Sequence, residues 1–400
     1  MKRKMPKKSR QIRYGGAVTG LDEERAIIRS IRKSRKTRNW QQAEEGALFE
    51  KELAEYIGVK HAILTNSGSS AGLLALSALE LPRGSEVIIS AVTFPTIFNI
   101  ILQCGLVPVV VDAKVGTYNF DVDEVERAIT KKTKAIIAIH ALGNPVNMPK
   151  LMKIARKHKI YVIEDNCDGW GSSIGNKRVG SFGDVSITSF HAAHIVSMGV
   201  GGGIFTNNKE ISRRVSMYRD WGRQSNVHRK SNGRIWETLP EDYDSRFIYE
   251  KIGYNFQILE LQAAMGRVQL RKIEKIKEAR KRNFDYLFEN LEKFVPKGLL
   301  PSWHHRNAGI CWFAFPLTYR GDRGKLTAYL EKHGIETRSM FSGNITKHPA
   351  YKNSNFRISG ELKGADYILE HSFWISCHPS LAKSDLEYII KAFNNFFNGK

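Results

Sequence analysis

Short apolar runs alternate with helical patterns from about residue 20 to residue 205. The runs that read as strands are HAILTN, EVIISAV, VPVVVDA, KAIIAIHAL, IYVIEDN, VSITSF and GGIFTN. Between them, apolar residues recur at helical spacing in FEKELAEYIG, SSAGLLALSALEL, VDEVERAIT and MPKLMKIARKHK. Strands that alternate with helices form a largely parallel sheet with helices on both faces. The pattern therefore predicts an α/β domain whose functional loops lie at the carboxyl ends of its strands.

The second half of the chain predicts a smaller domain. Residues 220–250 are polar, aromatic and aperiodic, which indicates an excursion loop, and a long helix is predicted over about 257–295. Short strands and helices follow in CWFAFPLTY, KLTAYLEKHG and LEYIIKAFNNFF. We expect a basic tail at 1–20, a large domain at 21–260, and a linking helix with a small C-terminal α/β domain at 261–400.

Charge changes this picture little. The net charge is +22, but the basic residues of segments such as RVQLRKIEKIKEARKR are interleaved with glutamates, as on a solvated surface. Nucleic acid is therefore not the expected partner, and the tail MKRKMPKKSRQIR is predicted to lack structure. No apolar run reaches the roughly 20 residues of a membrane helix, and no apolar signal region follows the tail. We expect a cytoplasmic protein with no membrane association.

The four cysteines are Cys104, Cys167, Cys311 and Cys377, and no CxxC pair occurs. A zinc or iron–sulfur site built from cysteines is therefore not expected. Cys104 and Cys167 lie in or beside apolar segments, which indicates small core residues.

Three segments carry residues suited to chemistry. In TNSGSSAGLL a strand ends and a helix begins, so backbone N–H groups, Ser69 and Ser70 offer a phosphate site, although a serine there is also a common helix cap. In YVIEDNCDGW a strand delivers Glu164 and Asp165 to its end, and Asp168 follows three residues later. An acid at this place can hold a pyridinium nitrogen protonated, bind a metal or cap a helix.

The third segment is VSITSFHAAHIVSMGVGGG. It brings Ser189, His191 and His194 to a loop before the glycines at 201–203. Glycines allow the backbone to pass close to a ligand. An HxxH pair is also a possible zinc motif, but the sequence shows no third ligand, so no metal is expected.

In their order and spacing these segments resemble the DegT/DnrJ family of sugar aminotransferases. The resemblance runs from about residue 20 to 395 and includes GSEVIISAVTFPT, EDNCD, IGYNFQILELQAA and GIETRSMFSGN. It implies an aspartate-aminotransferase-like large domain of fold type I, with a mainly parallel sheet and a smaller C-terminal α/β domain. It also implies pyridoxal phosphate or pyridoxamine phosphate as the cofactor.

The resemblance assigns roles residue by residue. Asp165 matches the aspartate that pairs with the cofactor's ring nitrogen, and Asp168 matches a polar position near its phenolic oxygen. Phe94 matches an aromatic side chain that stacks on the ring. Three residues match phosphate-binding positions, and they are Gly68, Ser69 and Ser189. Asn255 matches an asparagine that reaches the phosphate from the partner subunit, which implies a homodimer with shared active sites.

One position departs from the aminotransferases. Five residues after Ser189 they carry the lysine that binds the cofactor covalently, and this chain has His194, with no lysine between Lys177 and Lys209. Histidine at this place is similar to a branch of nucleotide-sugar 3-dehydratases, and the matches YRDWGR and MFSGNITKHPAY point to the same branch. An imidazole cannot form the Schiff base, but its ordinary pKa suits proton transfer. His194 is therefore the expected catalytic acid and base.

The branch implies a nucleotide-linked 4-keto-6-deoxyhexose as substrate, within 3,6-dideoxysugar synthesis. One type of member recharges its cofactor from glutamate, and the other carries an iron–sulfur cluster in the loop after RDWGR. That loop reads QSNVHRKSNGRIW here, without cysteine, so we expect no cluster and glutamate as the amino donor. Two further departures are Val200, where close relatives usually have glutamate, and His191, where many relatives have tyrosine. His191 either contacts the sugar or packs, and we expect packing.

Three other functions stay open at this point. An aminotransferase that works without the lysine would release an amino sugar. An inactive nucleotide-sugar-binding homologue would bind without turnover, and the loss of an acid at Val200 favours this reading. A role of the basic tail in binding nucleic acid would show as steeply salt-dependent binding that requires residues 1–13.

Overall fold

A computed structural model describes residues 10–224, 238–240 and 243–399. The strands are β1 (His61–Thr65), β2 (Glu86–Ser90), β3 (Val107–Val111), β4 (Thr133–Ile139), β5 (Tyr161–Asp165), β6 (Ser173–Ile174), β7 (Lys177–Arg178), β8 (Val185–Ser189), β9 (Gly202–Thr206), β10 (Leu299–Leu300), β11 (Ala308–Gly309), β12 (Phe315–Tyr319), β13 (Arg338–Ser339), β14 (Arg357–Ile358) and β15 (Ser372–Ile375). The helices are α1 (Leu21–Thr37), α2 (Glu44–Ile57), α3 (Gly68–Ala78), α4 (Pro95–Gln103), α5 (Val122–Ala128), α6 (Met148–His158), α7 (Lys209–Arg219), α8 (Glu260–Arg271), α9 (Ile273–Leu291), α10 (Arg323–Lys332), α11 (Lys363–His371) and α12 (Lys383–Phe397).

The large domain is built on an eight-stranded sheet in the order β1-β9-β8-β5-β4-β2-β3-β14. All seven predicted strands belong to it, and the largely parallel α/β class is confirmed. Only β9 runs antiparallel to its neighbours β1 and β8. The loop of about a dozen residues between β8 and β9 contains no helix, and it returns the chain beside β8 rather than across the sheet. That loop carries His194.

The sheet is buried on both faces because alternate strand residues point to opposite sides. Val87 and Ile89 of β2 belong to a core with α2, α3 and α4, whereas Ile88 belongs to a second core with α5 and α6. Near-continuous apolar strands are typical of a sheet covered by helices on both sides. This packing fixes the strand ends that bear the polar residues.

The small domain has an antiparallel sheet in the order β10-β12-β15-β13, packed with α9, α10 and α12 around a separate core. The predicted long helix at 257–295 is wrong as a single element, because α8 and α9 are separated at Lys272. The Lys272 ammonium binds the carboxylate of Glu23 in α1 at 2.7 and 2.8 Å. Both halves bury an apolar stripe, so periodicity does not reveal the interruption.

The expectation that the N-terminal lead-in lacks structure is wrong from residue 10 onward. Ile12 is buried, and it exchanges backbone hydrogen bonds with the small domain, donating to Gly334 O at 2.7 Å and accepting from Glu336 N at 3.0 Å. Burial of this single apolar residue within a basic stretch anchors the segment. Residues 1–9 lie outside the described residues. Within the described part of the chain, no helix is long and apolar enough to cross a membrane.

Candidate active site

A cavity of about 410 Å³ lies at the carboxyl ends of β5 and β8, between the large and small domains. Seven of the eight residues that the resemblance singles out line it, and they are Gly68, Ser69, Phe94, Asp165, Asp168, Ser189 and His194. The eighth, Asn255, is exposed and does not line the cavity of its own chain. The site thus combines four segments that are distant in sequence.

One end of the cavity has the features of a phosphate site. Helix α3 begins at Gly68, and its capping residue is Ser67, whose hydroxyl accepts a hydrogen bond from Ser70 N at 3.0 Å. The capping role therefore belongs to Ser67, and Ser69 remains at the cavity with its hydroxyl 2.9 Å from that of Thr96. A helix N-terminus with nearby hydroxyls attracts an anion through unpaired N–H groups and the helix dipole.

Glycine is required at position 68 by its contact with Ser189. A Cβ atom on Gly68 would lie 2.6 Å from the Ser189 Cβ, closer than real carbon contacts allow. The close approach holds the α3 N-terminus against the end of β8, so both elements face the same point of the cavity.

We expect Gly68→Ala to lower affinity for pyridoxal phosphate about tenfold or more, since overpacking costs roughly 1–3 kcal/mol and displaces Ser189. Fluorescence titration of the purified protein with the cofactor measures the change. Gly20→Ala is the matched control, because a Cβ on Gly20 meets nothing within 4 Å. Equal affinity of both variants would contradict a role for this contact.

Glu164 and Asp165, the two acids at the end of β5, point to opposite faces of the sheet because side chains alternate along a strand. Glu164 is fully buried and accepts hydrogen bonds from the backbone N–H groups of Gly180, Phe182 and Gly183, and from His140 at 3.1 Å. These hydrogen bonds to the Glu164 carboxylate hold the loop at 180–183 in place. Asp165 points the other way, into the cavity, and its Oδ1 accepts from Cys167 N at 3.1 Å.

Asp165 and Asp168 share a desolvated environment. Burial raises the pKa of Asp165. Burial, together with the neighbouring Asp165 charge, raises the pKa of Asp168 to about 7. A cation placed beside Asp165 would reverse its shift, because an opposite charge favours the ionised carboxyl. The pair is suited to a ligand with a basic ring nitrogen.

His194 lies in the loop between β8 and β9, with Nε2 3.6 Å from Asp168 Oδ1. The ring centroid is 5.8 Å from that of Phe313. Burial, and secondarily the nearby His191, lowers the pKa of His194 to about 4. The sequence predicted a value near neutrality, and the difference arises because the cavity removes the imidazole from water. At neutral pH the imidazole is uncharged and able to accept a proton.

No lysine of the described residues lines the cavity. Its open side instead carries Phe94, whose side chain is 60% exposed at the start of α4. A large apolar side chain exposed at a cavity provides a surface for a flat ligand. The arrangement supplies an anion site, an acid, an aromatic face and a neutral imidazole.

Several residues that line the cavity were not predicted from the sequence. Phe313 and Trp374 of the small domain form one wall, and Tyr14 reaches it from the N-terminal segment, with ring centroids 5.7 Å between Tyr14 and Trp374. His140, beside Glu164, also lines the cavity. These residues belong to segments far apart in the chain, and no local motif marks them.

Two expectations for neighbouring residues need correction. His191 does not pack in the interior, because it is exposed at the cavity. Cys104 packs against the core of the large domain although it is only half-buried, whereas Cys167 lines the cavity rather than filling a core. Val200 is 54% exposed at the rim, and its carbonyl accepts a hydrogen bond from Gln262 Nε2 at 2.9 Å. A backbone contact of this kind holds the loop without requiring an acid at position 200.

Among the described residues, no group of three or more histidine, cysteine, aspartate or glutamate side chains is placed to hold a metal ion. The cysteine-free segment QSNVHRKSNGRIW, at 224–236, lies outside the described residues except for Gln224.

The fold and cavity define an α/β protein of the aminotransferase type that presents histidine where the lysine is expected. The profile of the DegT/DnrJ/EryC1/StrS aminotransferase family matches residues 21–394, and the chain belongs to that family. The predicted family and fold are thereby confirmed.

Two relatives and one solved structure place the chain more closely. It is 39% identical to the lipopolysaccharide biosynthesis protein RfbH of Salmonella typhimurium, over 87% of this chain and 84% of that protein. It is 37% identical to a dTDP-4-dehydro-2,6-dideoxy-D-glucose 3-dehydratase of Saccharopolyspora spinosa, over 97% of this chain and 87% of that enzyme. A crystal structure of GDP-4-keto-6-deoxymannose-3-dehydratase with a trapped PLP-glutamate geminal diamine superimposes with a TM-score of 0.87 at 26% identity, covering 96% of this chain and 100% of that chain. The predicted likeness to the dehydratase branch is confirmed.

Proposed function

We propose that the protein is a C3-dehydratase that removes the C3 hydroxyl of a nucleotide-linked 4-keto-6-deoxyhexose during 3,6-dideoxysugar synthesis, with pyridoxamine phosphate or pyridoxal phosphate as cofactor. The observation that carries this proposal is the neutral imidazole of His194 in a cavity that no described lysine lines. Because none of the described lining residues is a lysine, the cavity offers no amine that would hold the cofactor covalently or displace the product.

The cavity residues fit the cofactor. Gly68, Ser69 and Ser189 would bind its phosphate at the α3 N-terminus, and Phe94 would stack on its ring. Asp165 would pair with the ring nitrogen and keep it protonated. When bound, pyridoxamine phosphate supplies an amine that condenses with the sugar carbonyl and a ring that withdraws electrons from it.

His194 is the proton carrier in this proposal. Its uncharged ring accepts a proton from the cofactor's C4′ and then donates one to the departing C3 hydroxyl. Asp168, 3.6 Å from Nε2, stabilises the imidazolium that exists between the two transfers. The mostly apolar lining around the imidazole limits the water that would compete for that proton.

Glutamate is the proposed amino donor that regenerates the amine form of the cofactor. The trapped glutamate adduct in the related GDP-4-keto-6-deoxymannose-3-dehydratase supports this choice. Asn255 is the proposed phosphate contact of a partner subunit in a homodimer, and this role agrees with its being exposed and not lining the cavity of its own chain.

The experiment supplies the purified protein with pyridoxamine phosphate, glutamate and 4-keto-6-deoxyhexoses linked to GDP, CDP or dTDP. We expect mass spectrometry to show a 3-deoxy-4-keto sugar, with loss of one oxygen from at least one of these substrates. An amino sugar would instead establish an aminotransferase that needs no lysine. Tight binding of nucleotide sugars with no turnover would establish an inactive homologue.

A further inference from the structure

A positive charge is buried behind the wall of the cavity. Arg280 of α9 is only 2% exposed, and among the described residues its guanidinium forms no salt bridge. Its Nε has no hydrogen-bond partner within the same residues. A buried cation without a carboxylate costs several kcal/mol. This cost implies that Arg280 has a role beyond packing.

The guanidinium is tied to the wall that packs on His194. It donates a hydrogen bond to the carbonyl of Phe313 at 2.6 Å and a weaker one to that of Trp312 at 3.4 Å. The centroid of the Phe313 ring is 5.7 Å from the guanidinium and 5.8 Å from the centroid of the His194 ring. Arg280 therefore fixes the residue against which the imidazole rests.

The charge also acts on the titratable groups around it. Burial and Asp165 raise the pKa of Asp168, and Arg280 opposes that rise. Burial and His191 lower the pKa of His194, and Arg280 lowers it further. Arg280 also lowers the pKa of three further titratable neighbours, which are Cys311, Cys377 and His378. The Arg280 charge thus favours a carboxylate at Asp168, against burial and Asp165, and it favours an uncharged imidazole at His194, together with burial and His191.

We propose that Arg280 is a positioning residue for proton transfer at His194: it holds Phe313 against the imidazole, and its charge keeps the His194–Asp168 pair as a neutral ring beside a carboxylate. The catalytic part of this inference rests on the proposed dehydratase function, but the electrostatic part concerns the protein alone. The two parts are therefore tested by separate measurements.

The test compares Arg280→Met with Arg280→Lys. NMR of histidine-labelled protein without cofactor measures the His194 titration, assigned with His194→Asn. Removal of the charge in Arg280→Met should raise the pKa of His194 by about one unit, and Arg280→Lys should leave it within about a third of a unit. Arg282→Met, which removes an exposed charge two residues along the same helix, is the matched control and should not change the titration.

The pH profile of dehydration gives the second measurement. As the pH is lowered, kcat should begin to fall at a higher pH in Arg280→Met than in the wild type, and the difference should equal the shift in the His194 pKa. The reason is that His194 with a raised pKa becomes protonated, and so loses its base form, at a higher pH. Arg280→Lys should keep the profile while lowering kcat about tenfold, because an ammonium does not reproduce the planar hydrogen bonds to the backbone.

An unchanged His194 titration in Arg280→Met, with only thermal stability altered, would overturn the proposal and leave Arg280 structural. If Arg280→Met does not fold, Arg280→Gln replaces it, since an amide keeps a donor to Phe313 O without the charge. Absence of dehydration by the wild-type protein would contradict the proposed function, yet the NMR titration would still decide the role of Arg280.

Discussion

Replacing His194 with alanine is expected to lower the rate of dehydration by about 10²–10⁴-fold, the usual contribution of a general acid–base group. Cofactor affinity should fall less than tenfold, because the proposed phosphate and ring contacts come from α3, β5, β8 and Phe94 rather than from the imidazole. Single-turnover kinetics with preloaded pyridoxamine phosphate measures the first quantity, and fluorescence titration measures the second.

His191→Ala is the matched comparison for this variant. The two rings belong to the same loop, with centroids 6.0 Å apart, but His191 is exposed and does not contact Asp168 in an ion pair. We expect its loss to reduce the rate less than tenfold. Comparable losses of rate in both variants would contradict a specific role of the His194 imidazole in proton transfer and would assign the effect to the loop as a whole.

His194→Lys turns the same position into the residue that aminotransferases use. An amine at this place should bind pyridoxal phosphate covalently and produce visible absorbance that borohydride fixes to the protein. Dehydration should be lost, since a lysine tied to the cofactor is no longer a free base. A borohydride-stable adduct on a different lysine of the wild-type protein would contradict the noncovalent arrangement.

The site residues that lie at the carboxyl ends of strands could be predicted from the sequence. Parallel strands deliver their carboxyl ends to one edge, so Asp165 at the end of β5 and Ser189 at the end of β8 had to meet near Gly68. The histidine loop followed because β9 was recognisable as the next strand. These inferences depend on local periodicity, and the sheet order converts them into proximity.

The far wall of the cavity was not predictable in the same way. Phe313, Trp374 and Tyr14 come from separate segments, and only the docking of the small domain and the N-terminal segment brings them together. The depressed pKa of His194 has the same origin, because desolvation depends on packing that no single segment encodes. In the sequence, Arg280 is one of many basic residues on a predicted helix. Its burial results from tertiary packing.

Asp165→Asn is expected to reduce kcat about 10–100-fold, because an amide cannot supply the charge-assisted hydrogen bond that keeps the ring nitrogen protonated, worth roughly 1.5–3 kcal/mol. The fold should tolerate the change. Asp165 has a raised pKa in the free cavity, so the isolated protein gains little from its charge, and the amide oxygen can still accept from Cys167 N. Thermal unfolding and kcat therefore separate the two roles.

The same reasoning predicts a difference between the free and the loaded protein. Burial disfavours the Asp165 carboxylate until a cation arrives, so binding of a protonated pyridine ring should stabilise the wild-type protein against heat more than it stabilises Asp165→Asn. Asp165→Glu keeps the charge but moves it by one methylene, and should recover part of the stabilisation and little of the rate, since the ring nitrogen requires a fixed distance. Equal thermal stabilisation of wild type and Asp165→Asn by the cofactor would place the ring nitrogen elsewhere, and with it the electron withdrawal on which proton removal by His194 depends.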